Sequence, residues 1–371
     1  MAEIVAENRS ARQPSEAAVG DVACAVVHGD GVAARCCAHL LNSADVRASW
    51  QRSHRPSLPA VMLNDNALTL FRDVAGDQAL LCDLPRIRRR IVAWGPDAET
   101  LVLDHSAVVV SEEALLDSLR PNLPTQEMPC DSAANWKIFA TNPLPAPGVE
   151  QHFGSRTAFA QAVELQPGSD SEACWIESLD NGWLFLLSTG ERLGSLLAIG
   201  AAPDSLLGCS RLIAPQIARL SSTPAEFPAY PRIASPLCGP GWLACGSAAM
   251  AFDPICGDGV AHAIREAILA AAIIRAGARE NCEEFLALYE GRLTAAFRRH
   301  LLLCQRYYES ASRGDWWRFE SAALQRGLAW CDDKLRTVAR SGYRLEGFDL
   351  IPTNNRGKDT TWRFRDVTSS V

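Results

Sequence analysis

The chain has 371 residues, of which 48% are hydrophobic and 21% are charged, and its formal net charge is -7. This composition is typical of a globular enzyme and excludes a largely disordered chain. The acidic balance comes without long runs of lysine or arginine, so we expect no nucleic-acid partner.

The N-terminal residues 1–20 are polar and lack the apolar core of a secretion signal, which predicts a flexible tail on a cytoplasmic protein. Thirteen cysteines are scattered without any C-x-x-C pair. We therefore expect buried free thiols and no metal site. The longest apolar stretch, at residues 267–274, is too short to cross a bilayer, so no membrane span is expected.

Apolar runs and turn residues predict the secondary structure in chain order. The first part should contain a strand at 22–27, a helix at 32–41, a loop at 47–63, a helix at 66–74, strands at 91–94, 100–103 and 107–110, and a helix at 112–119. A proline-rich stretch at 121–150 marks a transition between lobes. The remainder should contain strands at 158–165, 173–178 and 182–188 and helices at 260–276, 282–311 and 324–339.

A glycine-rich turn lies between the first predicted strand and the first helix. Its sequence, Gly29-Asp30-Gly31-Val32-Ala33-Ala34, fits the G-x-G-x-x-A variant of the dinucleotide fingerprint. Gly29 would make the tight turn, Gly31 would let a pyrophosphate approach the backbone, and Ala34 would allow close helix packing. The acidic residue expected about twenty positions later is missing, and Gln51 lies nearest to that place. A plain glycine turn is the alternative interpretation.

The segment 241–260 contains a strand, an alanine pair, an Asp253-Pro254 step and a glycine turn before a long helix. It resembles the second flavin motif of the flavoprotein monooxygenases and flavin-dependent halogenases, with Ser247 in the place of an aspartate. The resemblance implies FAD, bound at Ser247, Asp253, Pro254, Gly257, Asp258, Gly259 and Val260 together with Gly29, Gly31, Ala34 and Gln51. Amides that open the helix at Val260 would stabilise the charge of reduced flavin. A glycine–proline loop before a core helix is the alternative.

Two flanking segments extend the resemblance to roughly residues 22–318. The strand pair at 174–187 is similar to the family segment on the substrate side of the flavin. Trp183 and Phe185 alternate on its second strand and would face either a substrate or the core. Residues 299–318 are similar to the C-terminal helix of the halogenases and of the monooxygenases that modify quinone-cofactor enzymes.

The resemblance implies an FAD-dependent oxidoreductase that hydroxylates an aromatic substrate through a flavin C4a-peroxide. The substrate is a small aromatic molecule or a tryptophan of a partner polypeptide, and a separate flavin reductase is one source of electrons. The halogenase element W-x-W-x-I-P is missing, because the chain reads Trp183-Leu184-Phe185-Leu186-Leu187-Ser188. A halogenase, an ene-reductase of the same fold and a non-catalytic scaffold remain alternatives. His262 is a candidate proton shuttle or a packed histidine.

The predicted fold is α/β, with a Rossmann-like FAD lobe of the glutathione-reductase type, a β-sheet substrate lobe and a helical C-terminal extension. The expected boundaries are a tail at 1–20, a discontinuous FAD lobe at 21–120 and 236–280, a substrate lobe at 121–235 and the extension at 281–371.

Overall fold

A computed structural model describes residues 24–353 with gaps at 45, 54–59, 97, 120–135, 146–147, 222, 278–281, 313 and 340. The predicted tail and residues 121–135 of the proline-rich transition therefore lie outside the described residues. The side chain of Cys282 is likewise outside them.

The helices are α1 Val32–Asn42, α2 Asp65–Ala75, α3 Glu112–Asp117, α4 Pro203–Leu207, α5 Gly246–Ala249, α6 Gly259–Gly277, α7 Cys282–Ala311 and α8 Asp315–Thr337. The strands of the first half are β1 Cys24–His28, β2 Arg47–Gln51, β3 Val61–Asn64, β4 Arg86–Ala93, β5 Leu101–Val110, β6 Trp136–Phe139, β7 Val149–His152, β8 Thr157–Leu165 and β9 Ala173–Leu179. The later strands are β10 Gly182–Gly190, β11 Leu193–Gly200, β12 Ile217–Leu220, β13 Ala225–Pro228, β14 Arg232–Ser235, β15 Cys238–Gly239, β16 Trp242–Ala244, β17 Met250–Ala251, β18 Tyr343–Glu346 and β19 Asp349–Pro352.

Two large sheets organise the described residues. The five-stranded sheet has the order β15-β16-β6-β1-β2, and β2, β1, β6 and β16 run parallel. The nine-stranded sheet has the order β12-β8-β11-β10-β9-β4-β5-β3, with β13 also paired to β8. It is antiparallel except for the parallel pair β4 and β9. Smaller sheets are β17-β14-β7 and β18-β19.

The architecture agrees with the predicted α/β class, and the sheets interleave distant parts of the chain. Strands β3, β4 and β5 come from the segment predicted as FAD lobe, yet they belong to the nine-stranded sheet. Strand β6 comes from the segment predicted as substrate lobe, yet it lies in the five-stranded sheet.

The predicted loop at 47–63 is wrong, because it contains β2 and the start of β3. The two short strands predicted at 100–103 and 107–110 are one strand, β5, and α8 begins nine residues before the predicted residue 324. The predicted helices at 260–276 and 282–311 are confirmed as α6 and α7. The short apolar content of β2 explains the loop error, since only Ala48, Ser49 and Trp50 are buried, between an exposed arginine and an exposed glutamine.

Helix α6 is the central helix of the core. Eight consecutive residues, 267–274, are buried, which occurs when a helix is apolar on every side and is packed all round. It contacts α1, α2, α5 and α7. Four neighbouring helices therefore fix the position of α6 in the core.

Among the described cysteine side chains, ten are free thiols, and seven of these are buried. The expectation of free thiols is wrong for Cys24, which forms a disulfide. Of the helices in the described part of the chain, none combines the length and the apolar character needed to cross a bilayer.

Candidate functional site

A cavity of about 490 Å³ lies where the two large sheets meet. On one side it is lined by residues that follow β1, β2, β6 and β16, and on the other by one face of the nine-stranded sheet. Because these four strands are parallel, their carboxyl ends share one sheet edge. Ligands of open α/β sheets bind at that edge.

The glycine turn after β1 forms one end of the cavity. Gly29 has a φ of +126°, and its amide donates to the carbonyl of Gln51 at 2.9 Å, so it makes the tight turn. Asp30, Gly31, Val32 and Ala33 line the cavity, whereas Gly29 does not. Gly31 precedes α1, which has no acidic residue in its first turn, so the free amides of this helix start favour an anion.

Ala34 and Gln51 do not line the cavity. Ala34 is fully buried in α1, where its small side chain packs in the core. Gln51 is exposed at the end of β2, and Ser53, two residues further on, lines the cavity in its place. The sequence offered no signal for Ser53, because the fingerprint places the ribose contact at the strand end itself.

The second motif, residues 241–260, lines the cavity beside the glycine turn that follows β1. Gly246, Ser247, Asp253, Pro254, Gly257, Asp258, Gly259 and Val260 all line the cavity. An added Cβ at Gly246 would lie 2.8 Å from the Cβ of Ala33, so the two motifs touch directly. The hydroxyl of Ser247 donates to the carbonyl of Ala140 at 3.2 Å, so it is used within the protein.

Asp253 belongs to a buried ionic network behind the cavity. Its carboxylate lies 2.9 Å from Nε of Arg156 and accepts from the hydroxyl of Tyr308 at 2.7 Å. Arg156 also pairs with Glu320, and all three charged side chains are fully buried. Burial raises the pKa of Asp253, and the guanidinium of Arg156 opposes this. The Asp253 carboxylate also accepts from the amide of Ile255 at 2.9 Å, which fixes the turn that lines the cavity.

Glu266 is a cavity residue that sequence reasoning missed. It lies in α6 with 5% of its surface exposed, and its carboxylate accepts from the Gly246 amide at 2.6 Å. Burial raises its pKa to about 8. The sequence showed only a charged residue before an apolar stretch, which usually indicates the solvent side of a helix.

His262 does not line the cavity. Its ring stacks on Phe252 with centroids 4.0 Å apart, and burial lowers its pKa to about 4. It is therefore neutral near pH 7. The packing favours the packed-histidine alternative over a proton shuttle.

The nine-stranded sheet contributes an apolar wall. Trp183 and Phe185 both line the cavity, and Trp183 is 1% exposed. The indole nitrogen of Trp183 lies 3.4 Å from the hydroxyl of Tyr308, so this residue links the wall to the ionic network.

Cys256, His300 and Cys304 bring three potential metal-ligand atoms within 4.8 Å of one another, although no metal site was expected. Nε2 of His300 accepts the amide hydrogen of Asp253 at 2.8 Å, which occupies the lone pair that a metal would need. Burial also raises the pKa of the Cys304 thiol well above its usual value, which disfavours the thiolate that binds metals.

No protein-family profile matches the sequence. No curated protein sequence matches it either. Among solved structures, the peptidyl tryptophan dihydroxylase QhpG, essential for tryptophylquinone cofactor biogenesis, is 18% identical over 80% of this chain and 78% of its own, with a TM-score of 0.64. The flavin-dependent halogenase CmlS is 14% identical over 88% of this chain and 83% of its own, with a TM-score of 0.67.

Klebsiella pneumoniae HpxO, solved with FAD and uric acid, is 14% identical over 86% of this chain and 97% of its own, with a TM-score of 0.58. At such identities the likeness concerns the fold. The fold is that of the flavin-dependent halogenases and their relatives, as the sequence resemblance predicted.

Proposed function

We propose that the protein is an FAD-dependent monooxygenase that hydroxylates an aromatic substrate. One observation carries this proposal: the two motifs that resemble flavin motifs, about 200 residues apart, line a single cavity at the carboxyl edge of parallel strands. Two unrelated glycine loops would have no reason to meet at that edge.

The cavity fits FAD by three criteria. The starts of α1 and α6 both line it, and free amides at helix starts bind phosphates and stabilise negative charge. An added Cβ at Gly259 would meet no atom within 4 Å, so the turn leaves open space. A side chain at Gly257, whose φ is +61°, would approach only Met62.

In this proposal the five-stranded sheet with α1 and α6 is the Rossmann-like FAD lobe. Most of its strands come from the segments expected for that lobe, 21–120 and 236–280, and β6 comes from outside them. The nine-stranded sheet supplies the substrate side, and α7 and α8 form the helical extension. Gly31 and the amides opening α1 hold the pyrophosphate, while Gly257 to Val260 hold the flavin end.

Bound FAD would supply the redox chemistry that activates dioxygen. The protein's own part is to hold and shield the reactants. Phe185 provides an apolar aromatic surface that excludes water and stacks on an aromatic substrate, and the nearly buried Trp183 completes the apolar wall. The amides at Val260 stabilise negative charge. A separate flavin reductase is the proposed source of electrons.

The substrate is proposed to be a small aromatic compound or a tryptophan within a partner polypeptide. The similarity to a peptidyl tryptophan dihydroxylase supports a tryptophan within a partner polypeptide. Halogenases share the fold, but the strand at Trp183 lacks their second tryptophan and Ile-Pro, which favours hydroxylation.

FAD binding tests the proposal first. The purified protein is mixed with FAD, passed through a desalting column and scanned for flavin absorbance. We expect retention by the wild type and loss in Gly259→Leu, whose side chain would fill open cavity space without a clash in the core. Gly259→Ala is the matched control and should retain FAD. A folded wild type that leaves all FAD behind would favour a scaffold.

Hydroxylation is tested next. The FAD-loaded protein, a flavin reductase and NADH are incubated with aromatic substrates under ¹⁸O₂, and products are examined by mass spectrometry. One ¹⁸O atom in an aromatic product supports a monooxygenase. With chloride and bromide present in the same mixture, a halogenated product would instead indicate a halogenase, and a reduced product without added oxygen an ene-reductase.

A further inference from the structure

Arg90 lies on the cavity face of the nine-stranded sheet. In the strand register Arg90 is opposite Cys174, Cys174 is opposite Leu187, and Leu187 is opposite Ser195. Residues directly opposite one another project from the same face of a sheet. Arg90, Leu187 and Ser195 all line the cavity, which places one guanidinium in an otherwise neutral row.

The next row of this face is wholly apolar. Ile176, Phe185 and Leu197 are directly opposite one another on neighbouring strands, and all three line the cavity. An aromatic body would therefore rest on Phe185 while a group at its end reached the row of Arg90. The sheet thus presents an apolar surface with a cation at one side.

In the described part of the chain, the guanidinium of Arg90 contacts two neutral side chains, the imidazole of His105 and the thiol of Cys174. Its Nη2 lies 3.3 Å from Nε2 of His105, and its Nε is buried without a hydrogen-bond partner. Burial, and then the charge of Arg90, lower the pKa of His105 to about 4, so this neighbour is neutral near pH 7. Among the residues that the structure describes, no carboxylate forms an ion pair with Arg90.

Five of the described acidic residues line the cavity; three of them form ion pairs with arginines other than Arg90, and Glu266 accepts from the Gly246 amide. Asp30 pairs with Arg35, Asp253 with Arg156, and Asp258 with Arg265. Arg90 is the basic residue among the described cavity-lining residues. A partly buried cation with an unused donor is costly unless an anion is bound to it.

We propose that Arg90 recognises a carboxylate on an aromatic substrate, whose ring lies against Phe185 and Ile176. This inference rests on the proposed function, because that proposal identifies the bound molecule as a substrate. The planar fork of a guanidinium matches a carboxylate with two parallel hydrogen bonds. The substrate class is accordingly aromatic carboxylic acids, which include free aromatic amino acids.

Isothermal titration of the FAD-loaded protein with two matched pairs of probes tests the inference. The pairs are benzoate with benzamide and indole-3-acetate with indole-3-acetamide, which differ in charge but hardly in shape. A charge-assisted hydrogen bond corresponds to about 10- to 100-fold in affinity. We expect at least one acid to bind about 10-fold or more tightly than its amide, and Arg90→Gln to abolish this preference.

Arg89→Gln is the matched control. It makes the same change on the adjacent residue of β4, whose side chain pairs with Asp170 on the other face of the strand. This variant should keep the preference for the acid, and Arg90→Gln should keep the wild-type affinity for FAD. Equal binding of acids and amides by the wild type, or no binding of either acid, overturns the inference.

A third result also overturns it: Arg90→Gln weakens FAD binding and leaves the acid preference intact, which would assign Arg90 to the cofactor. Failure of the proposed function gives a different result, because the wild type would then lack flavin absorbance. In that case the same titrations are done on the protein without FAD. A preference for acids that depends on Arg90 would support the anion site, and the absence of such a preference would overturn it.

Discussion

Glu266 couples folding to pH, and we expect Glu266→Gln to remove that coupling. The carboxyl is 5% exposed and accepts from the Gly246 amide at 2.6 Å. Burial raises its pKa from 4.5 to about 8. The folded protein therefore keeps a proton that the unfolded chain releases between these two pH values.

The sign follows from the raised pKa. The contribution of Glu266 to stability is complete below the unfolded pKa of 4.5 and is lost as the pH rises through about 8. Each pH unit within that window changes the free energy of unfolding by about 1.36 kcal/mol. Between about pH 5 and about pH 7, the wild type should lose about 2 to 3 kcal/mol relative to Glu266→Gln, which cannot ionise.

Urea denaturation of both proteins across this pH range measures the difference. It is done without added FAD, because ligand binding contributes its own stabilisation. Glu113→Gln, at an exposed carboxyl of α3, is the control and should give a difference from wild type that hardly changes with pH. A difference between wild type and Glu266→Gln that stays constant from pH 5 to pH 8 would refute the raised pKa.

Two further substitutions test the packing behind the cavity. Asp253→Asn should destabilise the protein by about 3 to 5 kcal/mol in urea denaturation, because it removes one carboxylate from the fully buried Arg156; a loss below about 1 kcal/mol would contradict this. The substitution Gly246→Ala should lower the free energy of unfolding by about 1 to 3 kcal/mol more than Gly168→Ala does. Gly168 also has a positive φ, but a Cβ added there would meet no atom within 4 Å. Equal costs for the two variants would show that the contact with Ala33 is unimportant.

The sequence predicted most of the long elements. Helices α6 and α7 were predicted within one residue at each end, because their helical patterns continue without a proline. Strand β2 was missed because it is five residues long and its outer residues are arginine and glutamine. Its strand character depends on pairing with β1, and that contact is not local in sequence.

The roles of individual site residues were harder to predict than their positions. Gly31, Ser247 and the turn from Gly257 to Val260 line the cavity, whereas Ala34 and Gln51 do not. A motif specifies where the backbone turns, since glycine and proline restrict it directly. It does not specify where a hydroxyl points, and Ser247 donates to a carbonyl that lies 107 residues away in sequence.

Buried charge at the cavity illustrates this limit most clearly. Asp253 and Glu266 are both carboxyl groups beside the second motif, and both are nearly inaccessible to water. Burial raises the pKa of both groups, but Arg156 at 2.9 Å opposes the rise at Asp253, whereas Glu266 accepts from a backbone amide and its pKa rises to about 8. The difference comes from residues contributed by other elements, because the pKa of a buried carboxyl follows from its partners and its desolvation. Glu266→Gln therefore tests a property that only the folded chain creates.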